Sequence, residues 1–214
     1  MNIFRFLGDL SHLASIFILL RQMTTSRSCR GISFKSQALY FTVFVTRYLD
    51  LFWAWISLYN TTMKLFFIGA TGYTLYLMKY RYRATQDPAL DTFKLVWILV
   101  PVSILALIFN YGFSFDEILW SFSIWLESVA ILPQLFMLQR TGEAETITTH
   151  YLAALGLYRL LYIPNWIYRY LMEKNHPWDP IAITAGIIQT AIYADFGYIY
   201  VTKVLRGQKF ELPA

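Results

Sequence analysis

Seven stretches of this chain are apolar enough, and long enough, to cross a hydrocarbon layer as helices: roughly 3–20, 36–56, 62–78, 95–111, 117–138, 147–170 and 180–202. About 20 such residues span a bilayer core, and inside that core only a helix or a closed barrel satisfies its own backbone. The connectors between them, such as RQMTTSRSCRGISFK and QRTGEAETITTH, are too short to be domains. Composition agrees, with 57% apolar, 19% aromatic and only 14% charged residues and a mean hydropathy of +0.44. A soluble globular class is thereby excluded. Asp9 and His12 interrupt the first run, and Arg21 stands where a small-residue cleavage site belongs, so this run is read as a span and not as a signal peptide. Cys29 is the single cysteine, which rules out an intramolecular disulfide and a multi-cysteine metal site. No cofactor motif is present in the sequence.

In a membrane chain the formal charge of +5 orients helices and does not point to nucleic acid. Arg21, Arg27, Arg30, Lys35, Lys79, Arg81, Arg83, Lys94, Arg140, Lys203, Arg206 and Lys209 all fall on one side of a seven-span chain, and only Lys64 and Lys174 lie near the other. The basic side is cytosolic by the positive-inside rule, so the N-terminus is lumenal and the C-terminus cytosolic. The expected organisation is one transmembrane domain over 1–202 with a short cytosolic tail at 203–214. Spans one to three and five to seven share orientation, and aligning Arg47 with Arg159 sets TRYLDLFWAW beside YRLLYIPNWIY. The expected fold class is an all-α integral membrane protein with a 3+1+3 parallel repeat, resembling the SWEET/PQ-loop transporter architecture. Pro133 and Pro164 are expected to kink the fifth and sixth helices.

Charges inside the spans are the informative residues, because charge at membrane depth is costly and marks function. Arg5, Asp9 and His12 share one face of the first helix, and Arg47 and Asp50 share one on the second. Tyr158, Tyr162, Asn165 and Arg169 form a polar stripe on the sixth helix; Glu117 and Trp120 open the fifth, with Glu127 deeper. At ~1.5 Å per residue, Arg5, Arg169 and Glu117 lie within about one turn of the lumenal surface, whereas His12, Arg47, Tyr158 and Glu127 lie roughly 13–18 Å down. The plainer alternative for Arg47 with Asp50 is an intrahelical ion pair stabilising a polar core. Arg159 points away from the stripe and is assigned a structural partner, either Asp195 or a backbone carbonyl. Tyr151, Tyr168 and Tyr170 read as interfacial belt residues.

Several arginines on different helices suit a ligand with several carboxylates. Glu117, Asp50 and the face of Trp120 suit a cation at one end of it.

The segments NIFRFLGDLSHLASIFILL, SRSCRGIS, TRYLDLF, SLYN, YVTKVLRGQKFELPA and above all the block from Ile118 to Tyr162 resemble the KDEL receptor family over nearly the whole chain. That resemblance implies a seven-helix receptor that binds the C-terminal K/H-D-E-L peptide of soluble endoplasmic-reticulum proteins, a receptor-read address. Capture is implied in the acidic Golgi, release in the endoplasmic reticulum, and return in retrograde vesicles with the COPI coat on the cytosolic tail. The locations implied are the cis-Golgi, the endoplasmic reticulum and COPI-coated vesicles, and no enzymatic activity is expected. Four extended residues reach about 13–14 Å, so the peptide is expected to enter terminus first, its carboxylate at Arg47 and its acids near Arg5 and Arg169. The resemblance adds Tyr48, Asp50, Glu117, Trp120, Tyr158 and Tyr162 to the peptide-binding set. It implies a pH switch at His12, Glu127 and Tyr158, and trafficking roles for Asp195, Lys203, Arg206 and Lys209.

The loop MEKNHPWDP, longer than the family pattern, places His176 in solvent, and the tail reads RGQK where lysines are commoner in the family. The Asn60-Thr61-Thr62 sequon lies so close to the membrane that it is expected to be unused. The alternative from another class is a SWEET-like small-solute transporter, since the same repeat can rock open to both sides. An intramembrane enzyme using Glu127, His12 and Tyr158 as acid-base groups lacks a metal motif or nucleophile arrangement.

Overall fold

A computed structural model describes residues 2–144, 146–172 and 179–211. Its elements are α1 (Ile3–Ser26), α2 (Phe34–Arg47), α3 (Leu58–Tyr76), α4 (Val96–Ile108), α5 (Phe115–Val129), α6 (Leu132–Thr141), α7 (Thr146–Met172), α8 (Pro180–Ile192) and α9 (Ala194–Thr202). Among the described residues the only sheet is a two-residue antiparallel pair, β1 (Glu143–Ala144) with β2 (Phe210–Glu211). The architecture is therefore helical, as expected. His176 and the middle of the lengthened loop, 173–178, lie outside the described residues.

Local sequence starts these helices. The side chains of Asn2, Ser33, Ser57, Ser114 and Asp179 each accept a backbone N–H from the first turn of α1, α2, α3, α5 and α8, relieving donors that a helix N-terminus leaves orphaned. Pro180 at the opening of α8 adds a residue already set at a helical φ.

Among the described residues, the helical stretches Ile3–Ser26 and Phe115–Thr141 are long and apolar enough to cross a membrane, and Val96–Ile108 and Pro180–Ile192 are shorter apolar helices. The distribution of polarity points the same way. Phe17, Trp97, Ile104, Leu160 and Val201 are each more than half exposed, while Gln22, Gln37, Thr71, Ser121, Ser128 and Gln189 are buried. An apolar exterior around polar contacts is what hydrocarbon solvent favours.

The helices depart from the expected segments at three places. The second ends as an α-helix at Arg47 and continues as a 3-10 turn over Leu49–Phe52, so Arg47 and Asp50 do not share a helical face. The fifth is broken and not merely kinked: α5 stops at Val129 and α6 starts at Leu132. Pro133 cannot donate to the Val129 carbonyl, and Gln134 makes other bonds instead. Its N–H reaches Ser36 Oγ at 3.0 Å and its Oε1 accepts the Ser33 N–H at 2.7 Å. The seventh divides at Tyr193 into α8 and α9. Pro164, by contrast, lies within an uninterrupted α7.

The helices group into two compact units, one formed by 1–31 with 138–214 and the other by 32–137. In the first, α1 packs along α7, with α8 and α9 against α7. Gly186 permits the close approach there, since a Cβ at that position would stand 2.1 Å from the Trp166 ring. In the second, α2 packs on α3 and α5, and α4 on α5.

Candidate functional site

In the first unit the α1 face begins one turn earlier than the charged residues suggest, at Asn2, and runs through Arg5, Asp9 and His12 at helical spacing. Antiparallel α7 presents its stripe to this face. Asn2 donates to Asn165 Oδ1 at 2.8 Å, the Tyr162 hydroxyl donates to Asp9 Oδ1 at 2.8 Å, and the His12 ring stacks on Tyr158 with centroids 4.2 Å apart and planes 9° apart. Tyr158 is 3% exposed and His12 9%. The Arg159 guanidinium is buried over the faces of Tyr158, at 5.1 Å, and Tyr162, at 5.8 Å, a favourable cation–π placement in a desolvated site. Asp195, expected as one of its possible partners, is instead exposed in the first turn of α9. Gln189 approaches the Tyr158 hydroxyl at 3.5 Å. Arg5 is exposed and Arg169 half-buried.

The second unit holds the deepest carboxylate. Glu127, 2% exposed, pairs with Arg47 at 2.6 Å. The remaining donors of the same guanidinium go to Ser123, with Nε to the hydroxyl at 3.1 Å and the second terminal nitrogen to the carbonyl at 3.0 Å. Ser123 and Glu127 are four residues apart on α5, so one helical face supplies both partners. Asp50 pairs with Lys64 of α3 and not with Arg47, and the Lys64 ammonium also stands 5.7 Å from the Tyr48 ring. Asp50 Oδ1 and Glu117 Oε2 are buried atoms without a hydrogen-bond partner among the described residues. Trp120 tilts against Tyr111, with ring centroids 5.9 Å apart.

The expected site residues thus fall into several contact sets. His12, Tyr158 and Tyr162 meet on the first unit, Arg47 meets Glu127 on the second, and Tyr48 meets Asp50 through Lys64. Asn2, Ser123 and Lys64 complete these sets and were not singled out from sequence. Asn2 and Ser123 continue the helical periods already noted, whereas Lys64, read as a lumenal end, gave no such signal. Of the tail residues, Lys203 is half-buried and Arg206 and Lys209 are exposed. The tail is tied down by Phe210, 2% exposed, whose ring stacks on Phe196 at 5.2 Å.

The profile of the family described as ER lumen protein retaining receptor matches residues 28–169. The chain is 56% identical over 214 residues to the "ER lumen protein-retaining receptor" of Drosophila melanogaster. It is 60% identical over the same length to "ER lumen protein-retaining receptor 2" of both Gallus gallus and Danio rerio. Each match covers all of both chains. A helical chain with buried charged contacts, an apolar exterior and full-length likeness at this level belongs to the ER lumen protein retaining receptor family.

Proposed function

We propose that this chain is a membrane receptor that captures soluble endoplasmic-reticulum proteins by a C-terminal K/H-D-E-L peptide in the acidic cis-Golgi and returns them in COPI-coated vesicles. On this reading 1–202 form one seven-span domain in a 3+1+3 repeat with a lumenal N-terminus, and 203–214 form a cytosolic tail. The protein is a binder, not an enzyme.

The observation that carries the reading is the Arg47–Glu127 pair on the Ser123 cradle. A guanidinium already holding a buried carboxylate has the chemistry to hold a peptide's terminal carboxylate in its place. The incoming terminus exchanges with Glu127, and a proton taken up by Glu127 weakens its hold on Arg47. Arg5 and Arg169 receive the peptide's acidic side chains, and Tyr158 and Tyr162 supply apolar wall and hydroxyl. The orphan carboxylate oxygens of Asp50 and Glu117, with Trp120 and Tyr48, receive the leading Lys or His. Protonation of His12, stacked on Tyr158, adds positive charge that favours an anionic ligand. Proton and peptide binding are then mutually reinforcing, so affinity is present at low pH and lost as pH rises. Asp195, Lys203, Arg206 and Lys209 serve retrieval on the cytosolic side.

The test is binding of a short peptide ending in HDEL, beside its C-terminal amide, at pH about 5.5 and about 7.4, values that bracket histidine titration. Tight binding is expected for the free acid alone and at the lower pH alone. Equal binding of acid and amide, or none at either pH, refutes the reading.

A further inference from the structure

The first unit carries a cavity of about 820 Å³ that is not part of the peptide-binding set. Ala14 and Ile18 of α1, Leu157 and Leu160 of α7, and Gly197 and Val201 of α9 line it. Ser11 and Thr190, also in its lining, donate their hydroxyls to the Ala154 and Gly186 carbonyls, and a polar side-chain pair stands at one end, where Tyr200 Oη and His150 Nδ1 share a hydrogen bond of 2.7 Å. That end is common to three helices, because α1 and α7 are joined nearby through Gln22 and Thr148 at 3.0 Å and α7 and α9 through His150 and Tyr200.

Gly197 is the telling residue. Glycine is unfavourable in a helix relative to alanine, yet a Cβ at this position of α9 would meet nothing within 4 Å. No protein atom requires glycine there; what its absent side chain does is leave the groove open. From His150 to Leu160 the α7 wall is ten residues, about 15 Å long, half the ~30 Å thickness of a bilayer core. The groove thus has the length of one leaflet, lies beside the apolar exterior, and offers polar groups where that leaflet meets its headgroups.

Charge selects the occupant. Arg21 is one turn beyond Ile18 on α1 and is exposed, and Arg206, also exposed, lies in the 3-10 turn just after α9. Neither forms an ion pair among the described residues. Arg21 adjoins Gln22, which bonds Thr148 two residues from His150, and Arg206 follows Tyr200 by six residues; cations in these positions complement a phosphate. We infer that this groove seats an acyl chain of an anionic glycerophospholipid from the cytosolic leaflet, its headgroup held by Arg21 and Arg206 beside the His150–Tyr200 pair. The leaflet assignment rests on the orientation proposed above.

The experiment places the full-length receptor in nanodiscs containing a phosphatidylserine with a photoreactive diazirine in mid-chain, maps the crosslinks by mass spectrometry, and measures HDEL-peptide binding at acidic pH on the same samples. Crosslinks are expected on 152–160 and 194–201, displaced several-fold better by unlabelled phosphatidylserine than by phosphatidylcholine. Gly197→Leu, which grows into the opening, should cut labelling several-fold while peptide binding persists, and Arg21→Gln should abolish the headgroup preference. Ala14→Phe fills the groove from the opposite wall and decides the matter if the Gly197 variant does not purify.

Labelling spread over the exterior and insensitive to both filling variants overturns the inference, as does equal displacement by the two phospholipids or displacement by cholesterol alone. Loss of peptide binding by the unmodified receptor, with the groove still labelled selectively, would instead refute the receptor reading and leave the lipid site standing.

Discussion

Replacing Arg47 by lysine keeps the positive charge and removes the planar fork, so it isolates what the guanidinium geometry contributes. Arg47 spreads three contacts over Glu127 and Ser123. A lysine ammonium at that depth can keep one carboxylate contact but cannot reproduce the parallel donors. Hydrogen bonds to charged groups contribute about 1.5–3 kcal/mol each, and about 1.4 kcal/mol is a tenfold change in affinity. Losing one such bond to the peptide terminus should therefore weaken binding of the free acid about 10–100-fold. The fold loses two bonds from the charged guanidinium to Ser123 as well, at about 1.5–3 kcal/mol each. That cost falls on acid and amide peptides alike. Titration calorimetry at acidic pH with both peptides, on both proteins, closes a four-way cycle: the acid should lose its advantage over the amide in the lysine variant. Equal weakening of acid and amide would mean that Arg47 only supports the fold, and an unchanged acid affinity would mean that the terminus is bound elsewhere.

Three further outcomes follow from contacts described above. His12→Phe retains an aromatic face for Tyr158, 4.2 Å away, but cannot titrate, so the ratio of peptide affinities between acidic and neutral pH should shrink; an unaltered ratio in binding assays would remove His12 from the switch. Gln134→Leu leaves the buried Ser33 N–H without its 2.7 Å acceptor, at a cost of about 1–3 kcal/mol that should appear as a lower unfolding midpoint in detergent, and an unchanged midpoint would show that another group takes over. Gly186→Ala drives a methyl to within 2.1 Å of Trp166, and the overpacking should cost about 1–3 kcal/mol, visible in thermal unfolding and in altered tryptophan fluorescence; wild-type values in both would mean that the ring has room to move.

Helical period carries a residue's face, and that is why the α1 and α7 stripes could be read directly: Arg5, Asp9 and His12 on one, Tyr158, Tyr162 and Asn165 on the other. Period stops being a guide where the helix stops. After Arg47 the backbone turns into a 3-10 segment with no proline or glycine to announce it, so Asp50 leaves the face it was assigned and pairs with Lys64. Tyr193 divides α8 from α9 with no helix-breaking residue at the junction. Pro133 did announce a disturbance, but what makes it a break is Gln134 bonding to Ser33 and Ser36, far away in sequence. Partners are harder still, because a buried charge is stabilised by a group on another helix and the sequence lists candidates without pairing them. Arg159 illustrates the ambiguity: a carboxylate, a carbonyl or an aromatic face can each satisfy a buried guanidinium, and its place over Tyr158 and Tyr162 emerged only with the fold. The same gap matters most at Arg47. Its suitability for a carboxylate was legible from its chemistry and depth, but its resident counter-ion was not, and in the proposed mechanism that counter-ion, Glu127, lets a proton decide when the peptide can take its place.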